Sequence, residues 1–286
     1  MGNAIELETT GIKLSFSTLG CPDWPIDQII ERAAAYGYDG IDMRGCQGVM
    51  AVYTLPAFGP ERASTKRRLE EAGLVVSCFS SSVTLVADGD KRAANVREIT
   101  AYAQLCEFFG TPYIRVFGGA IGAAERADAC AAAAEHLREL SALARPYGVT
   151  LLLETHDDWT RHEDVEPLMA LADAGDTAVL WDVHHPYRMH GEQPEDTLAA
   201  LAPRIAYTHW KDSVPAPDTK HGHHYCLLGE GDVPLRRMFE LLRETGYDGW
   251  YTLEWEKKWH PEIAEPETAL PQYVQYMRAL ESGQSG

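Results

Sequence analysis

Paired cysteines, an excess of positive charge, a membrane-length apolar run and a glycine-rich nucleotide fingerprint are all missing from this sequence. The six cysteines (Cys21, Cys46, Cys78, Cys106, Cys130 and Cys226) never stand at C-x-x-C spacing, which excludes zinc-ribbon and thioredoxin-type sites. They lie scattered, several in apolar or Ala-rich segments, and are expected as free, mostly buried thiols of a reducing compartment. Basic residues number 25 against 43 acidic ones, a formal net charge of -18. Such a surface repels phosphate backbones and anionic lipid, so neither nucleic acid nor a membrane is the expected partner. No run of about 18 apolar residues occurs, so no spanning helix is expected. The opening MGNAIELETTG has no basic n-region and no apolar h-region. No secretory leader is therefore expected, and the cytoplasm is the expected location. The closing ESGQSG is small and polar and is expected to fray.

What is present is a 45% hydrophobic chain of 286 residues, enough for a full core with no compositional break. Short apolar runs alternate with longer helix-like segments. IKLSFSTL, DGIDMRG, LVVSCFSSS, PYIRVFGG, VTLLLETH, TAVLWDVHH, RIAYTHWKD and GWYTLEW are the runs. Helical patterns follow each, several with Pro at the start or Gly at the stop, as in WPIDQIIERAAAYG. Strands alternating with helices predict parallel pairing. Eight such units close an α/β (β/α)8 TIM barrel, whose typical size is about 250 residues. The expectation is a single barrel domain over 1–286, structured from about 12 to 280. The rival, a doubly wound open sheet, needs a glycine-rich fingerprint after the first strand. STLGCPDW carries one glycine, and the lone G-x-G of LGEGDVP does not follow a strand correctly. Residues 213–232 show no periodicity and read as a long functional loop on the C-terminal face.

The fifth run ends in Glu154, the sixth in Asp182, the seventh in His209 and the eighth in Glu254. In a parallel barrel these ends share one face, and alternate residues point inward. One carboxylate after a strand is commonplace as a helix cap; four metal-binding residue types at successive strand ends are not. Three clustered carboxylates repel one another, and a divalent cation relieves that repulsion. The oxygen-rich set suits one Mn2+ or Mg2+ ion, with Co2+ or Zn2+ as alternatives. His156 keeps the inward parity of Glu154 and is a candidate substrate contact. The loop histidines His221, His223 and His224 are more readily substrate contacts or plain surface than a second metal site. Trp24, Trp181, Trp210 and Trp255 suit either sugar faces or core packing.

Taken together, FSTLGCPDW, YGYDGIDMR, ETH, WDVHH, THWKD, LGEGD and YTLEWE resemble the sugar phosphate isomerase/epimerase family of the xylose-isomerase-like TIM-barrel superfamily. The resemblance runs from Ile12 to about Leu280. It implies one ion held by Glu154, Asp182, His209 and Glu254, with the two glutamates also acting as acid and base. It further implies substrate contacts from His185, three residues after the Asp, and from Lys211 in an H-x-K-D pattern; His184 matches no such role. Where the epimerases often carry an Arg, six residues after the ligand His, this chain has Pro215. A homo-oligomer is also expected.

A metal on that face can bind adjacent carbonyl and hydroxyl oxygens of a sugar or cyclitol and stabilise an enediolate. Two carboxylates on opposite sides of one carbon permit epimerisation, and one moving a proton between neighbours gives isomerisation. Loss of a β-hydroxyl or an aglycone from the same enediolate makes a lyase, a keto-inositol dehydratase or a keto-glycoside- or C-glycoside-cleaving subunit. The expected activity is therefore a divalent-metal-dependent isomerase or epimerase, with the lyase as alternative. A DNA-repair enzyme like the AP endonucleases of this fold is disfavoured by the acidic surface. A non-catalytic sugar-binding barrel would need neither Glu154 nor Glu254.

Overall fold

The computed structural model describes residues 11–284; the leader reading and the last two residues of the fraying tail fall outside them. Eight parallel strands close into a barrel: β1 (Lys13–Ser17), β2 (Gly40–Met43), β3 (Val75–Thr84), β4 (Tyr113–Phe117), β5 (Thr150–Glu154), β6 (Thr177–Asp182), β7 (Ile205–Trp210) and, after a hairpin, β10 (Trp250–Leu253). Around the barrel the order is β1-β10-β7-β6-β5-β4-β3-β2, closing on β1. The hairpin is antiparallel, β8 (Asp212–Pro215) against β9 (His223–Cys226). The helices are α1 (Ile26–Tyr36), α2 (Arg62–Glu71), α3 (Gly89–Phe109), α4 (Arg126–Ala144), α5 (His162–Ala172), α6 (His184–His190), α7 (Pro194–Leu201), α8 (Leu235–Glu244) and α9 (Pro266–Glu281).

The period of two in each strand divides its residues between two environments. Leu151, Leu153, Val179, Trp181, Tyr251 and Leu253 belong to the large cluster between the barrel and its helices. On the opposite parity, Cys78, Leu152, Leu180 and Tyr207 form a small separate cluster inside the barrel. Both faces are thus covered, which is why LLL and AVLW read as continuous apolar runs. Two residues further along the same inward parity lie Ser80, Glu154, Asp182 and His209. A mainly apolar plug therefore lies beneath a layer of polar side chains.

The helices follow from the same economy. In α8, Leu235, Met238, Phe239, Leu241 and Leu242 are buried while its charged residues face out; each such side chain contributes about 1.5–3 kcal/mol relative to exposure. Pro25 caps α1 and Gly37, at φ 86, ends it in the left-handed conformation that glycine tolerates. Five cysteines are buried and Cys226 is half-buried, and all six are free. Trp24, Trp181, Trp210 and Trp255 are core residues, so packing accounts for all four.

Two sequence expectations change. The aperiodic 213–232 stretch contains most of the β8–β9 hairpin. The histidines written into the run TAVLWDVHH belong instead to a helix: His184 and His185 open α6, because Asp182 Oδ1 accepts their backbone N–H groups at 2.9 and 3.0 Å. No helix among the described residues is long and apolar enough to cross a membrane.

Candidate functional site

Strands β5, β6, β7 and β10 are consecutive neighbours in the barrel, and their C-terminal ends carry the four candidate ligands. Glu154, Asp182, His209 and Glu254 are all buried, and one ligand atom from each lies within 4.8 Å of every other. His209 Nδ1 is 3.1 Å from Glu154 Oε1 and 3.3 Å from Glu254 Oε1. The ring's other nitrogen, Nε2, donates to Asp42 Oδ2 at 2.9 Å. Asp42 lies on β2, on the other side of the barrel, and its second oxygen accepts the Ser80 hydroxyl at 2.7 Å. The His209 ring is thereby fixed with Nδ1 toward the carboxylates.

The donor set fits a divalent cation on two observations. Glu154 Oε2 and Asp182 Oδ2 are buried and accept no hydrogen bond. Their nearest cations, Arg115 Nε at 3.2 Å and Lys211 Nζ at 2.9 Å, are close but misaligned; buried carboxylate oxygens left this way are costly. The charge balance points the same way. Asp42, Glu154, Asp182, Glu254 and Glu256 face Arg44, Arg115 and Lys211. Five carboxylates against three cations leave two negative charges, one of which the His209 proton offsets when no ion is bound. Burial opposes a charge on His209, yet Glu254, Asp42 and Glu154 outweigh it and hold the imidazole well above its ordinary range. Burial raises Asp182 to about 6, against the pull of Lys211. Glu254 is held well below the ordinary carboxylate range: burial opposes this, but Lys211 and then His209 prevail. Glu154 is also lowered, with Arg115 and His209 overcoming burial and the Glu254 charge.

Lys211 is fully buried and points inward. It contacts Glu254, Asp182 at 2.9 Å, Glu256 at 2.7 Å and His185 Nε2 at 3.3 Å. The neighbouring Asp212 carboxylate has another task. Asp212 accepts the backbone N–H groups of Gly229 (2.9 Å) and Gly231 (3.0 Å) in the LGEGD segment. A Cβ on Gly231 would lie 2.0 Å from Asp212 Oδ1, so only glycine lets the chain approach. The G-x-G amides thus hold an internal carboxylate rather than a phosphate. Arg188 completes the tie, donating to the Ser213 hydroxyl (2.9 Å) and carbonyl (2.8 Å) and pairing with Asp232.

His185 lies beside the tetrad, its Nδ1 3.6 Å from Asp182 Oδ2. His156 sits further out, bonded to Asp157 at 2.8 Å and packed on Phe117 and His185 with ring centroids 4.7 and 4.8 Å away. His184 bonds the Ser213 hydroxyl at 2.8 Å and braces the hairpin. A second cluster, Asp182, His184 and His185, shares Asp182 with the tetrad, and the loop histidines His221, His223 and His224 join neither.

Sequence reasoning missed Asp42, Arg115, Arg44 and Glu256. Arg115 is fully buried, with its guanidinium 3.7 Å from the Phe117 ring centroid. Arg44 donates to Ser82 at 2.9 Å, and burial, then the Arg115 charge, lowers it to about 10. A signal existed: Asp42 in GIDM and Arg115 in YIRVF are charged residues inside otherwise apolar strands, and such residues are rarely buried without a partner.

The chain aligns with an inosose dehydratase from Clostridium botulinum at 26% identity over 46% of its own length and 48% of the relative's. It thus spans about half the length of the dehydratases it matches. A fructoselysine 3-epimerase from Escherichia coli O157:H7 is 23% identical, with 94% of this chain and 98% of the relative covered. Among solved structures, the probable 3-DHS dehydratase of petrobactin synthesis from Bacillus anthracis superposes with a TM-score of 0.76. Its identity is 20%, over 94% of this chain and 98% of that one. The sequence profile described as xylose isomerase-like TIM barrel matches residues 30–280, and the chain belongs to that family.

Proposed function

We propose that this protein is a divalent-metal-dependent isomerase or epimerase of a sugar or cyclitol, acting through an enediolate. The observation that carries the reading is the pair of buried carboxylates flanking His209 Nδ1, Glu154 on one side and Glu254 on the other. Each has a cation of its own, Arg115 for Glu154 and Lys211 for Glu254, which supports the ionised, proton-accepting form of either.

Glu154, Asp182, His209 and Glu254 would hold the ion; the hard donor set favours Mn2+. When bound, the ion supplies Lewis-acid stabilisation of negative charge on the substrate oxygens. The ionised glutamate takes the carbon-bound proton, and the other, protonated from solvent beforehand, delivers its proton to the opposite face; the carbon inverts, the two carboxyls exchange protonation states, and solvent resets them. His185 and Lys211 would orient the substrate oxygens, and His156 would contact it further out.

Dehydration is the second reading, favoured by the contact between Lys211 and His185. That pair places an N–H donor beside Glu254, where a departing hydroxyl could be protonated. Relatives carrying both kinds of name accord with either outcome. The test is a panel of ketoses, keto-inositols and keto-glycosides incubated with Mn2+-loaded protein in deuterated water and followed by NMR. Deuterium at a carbon α to the carbonyl, with the skeleton intact, supports the isomerase or epimerase. Loss of water with the same exchange supports the dehydratase. No exchange with any member of the panel would overturn both.

A further inference from the structure

Outward from Lys211, past the His185 and His156 side chains that the reaction above uses, extends a chamber of about 260 Å³. His185 and Glu256 line its inner end, and both touch Lys211 Nζ, at 3.3 and 2.7 Å. Its far wall is a succession of rings from the hairpin and from the segment after β10. His223 and Tyr225 have centroids 4.9 Å apart, Tyr225 and His260 5.0 Å, and His221 and His260 5.6 Å, all steeply inclined. Half-exposed Met189 and the side chains of His156, Asp157 and Thr160 complete the lining.

We propose that this chamber is a subsite for an uncharged aromatic ring carried as a substituent by the reacting sugar or cyclitol, the substrate class being an aryl glycoside or similar conjugate. The inference rests on the sugar or cyclitol reading above and extends it to the part of the substrate that does not react.

Size is the first support. An apolar cavity of about 150 Å³ holds one benzene ring, so this chamber takes a six-membered ring with space for the bond joining it to the sugar. Ring geometry is the second: tilted aromatic pairs with centroids about 4.5–7 Å apart are the favoured packing, and an inserted ring continues the pattern. Charge is the third. The carboxylates at the chamber are already engaged, Glu256 by Lys211 and by the Tyr225 hydroxyl at 3.2 Å, Asp157 by His156. Burial also lowers His223, against its bond to the His221 carbonyl. The lining also offers polar atoms, Thr160 and the unpartnered His223 Nε2 among them, so a second sugar unit is the competing occupant that the disaccharides test. Rigidity is the fourth, since Asp212 and Arg188 tie the hairpin that presents the rings.

The test is calorimetric binding to the Mn2+-loaded full chain, comparing p-nitrophenyl with methyl glycosides of glucose, galactose and xylose, and with disaccharides. The p-nitrophenyl member of at least one pair should bind about 10-fold tighter than its methyl partner, as two ring contacts supply. In the His221→Ala/His260→Ala variant, altered only in this partly exposed wall, that advantage should fall to within about twofold while methyl-glycoside binding stays unchanged. Equal binding of aryl and methyl forms, a greater gain for disaccharides, an aryl advantage that survives in the variant, or no binding by any glycoside would each overturn the proposal. Isotope exchange is read separately. Aryl preference without exchange defeats the reaction and leaves the subsite; exchange without aryl preference does the reverse.

Discussion

Replacing Asp42 with Asn isolates the contribution of one charge to the proposed metal site. The side chain keeps its shape. Its amide oxygen can still accept the His209 Nε2–H that Asp42 takes at 2.9 Å, and its NH2 can turn to the Ser80 hydroxyl, now 2.7 Å away. What disappears is the negative charge that makes His209 a better electron donor at Nδ1. Carboxylates in this position behind a ligand His are worth about 10- to 100-fold in metal affinity, or about 1.4–2.7 kcal/mol. Asp42→Asn should therefore weaken Mn2+ or Zn2+ binding by about that factor, measured by competition with a chelating dye, with little change in the apo protein's Tm. Asp42→Ala should cost more and should also lower Tm, since a buried N–H left unpaired costs about 1–3 kcal/mol. Metal affinity in Asp42→Asn within twofold of the parent would refute the orienting role.

Three further outcomes follow from the geometry. Glu154→Gln and Glu254→Gln should each cut turnover on the substrate found by the exchange screen by at least about 100-fold; wild-type rates in both would move the proton-transfer role to His185 or Lys211. Gly231→Ala should loosen the hairpin, because the new Cβ falls 2.0 Å from Asp212 Oδ1; faster hydrogen exchange over residues 212–233 with the barrel strands unchanged is the expected signature, and unchanged exchange would speak against the Asp212 tie. His136 is buried with Nδ1 on the Leu85 carbonyl at 2.9 Å, and burial holds its pKa below the ordinary value. At acid pH the unfolded chain binds the proton that the folded chain refuses. The stability is fully present above the unfolded value near ~6.5 and is lost as pH falls through the lower folded value. Tm should drop from pH 7 toward pH 5, and His136→Gln should flatten part of that slope.

The barrel was legible because both faces of each strand are covered, so TLLLE and TAVLWD advertise burial while the carboxylate at each end breaks the pattern. The tetrad was legible for the same reason, since Leu152 and Glu154, or Leu180 and Asp182, share one inward parity. Asp42 and Arg115 follow that rule too, but they stand on strands outside the four that supply the tetrad, and only closure brings them to it. The hairpin escaped because its order comes from Asp212, Arg188 and the LGEGD amides, partners separated in sequence, and not from periodicity. His184 looks like its neighbour in WDVHH; the turn into α6 sends one ring to Ser213 and the other toward the tetrad.

The central claim is that Glu154, Asp182, His209 and Glu254 together hold one divalent ion. Native mass spectrometry of the full chain, after loading with Mn2+ and exchange into metal-free buffer, tests it without any substrate. The account predicts one ion per chain in the parent protein and none retained in Asp182→Ala at unchanged fold. Stoichiometric metal in Asp182→Ala, or no retained ion in the parent, would contradict it.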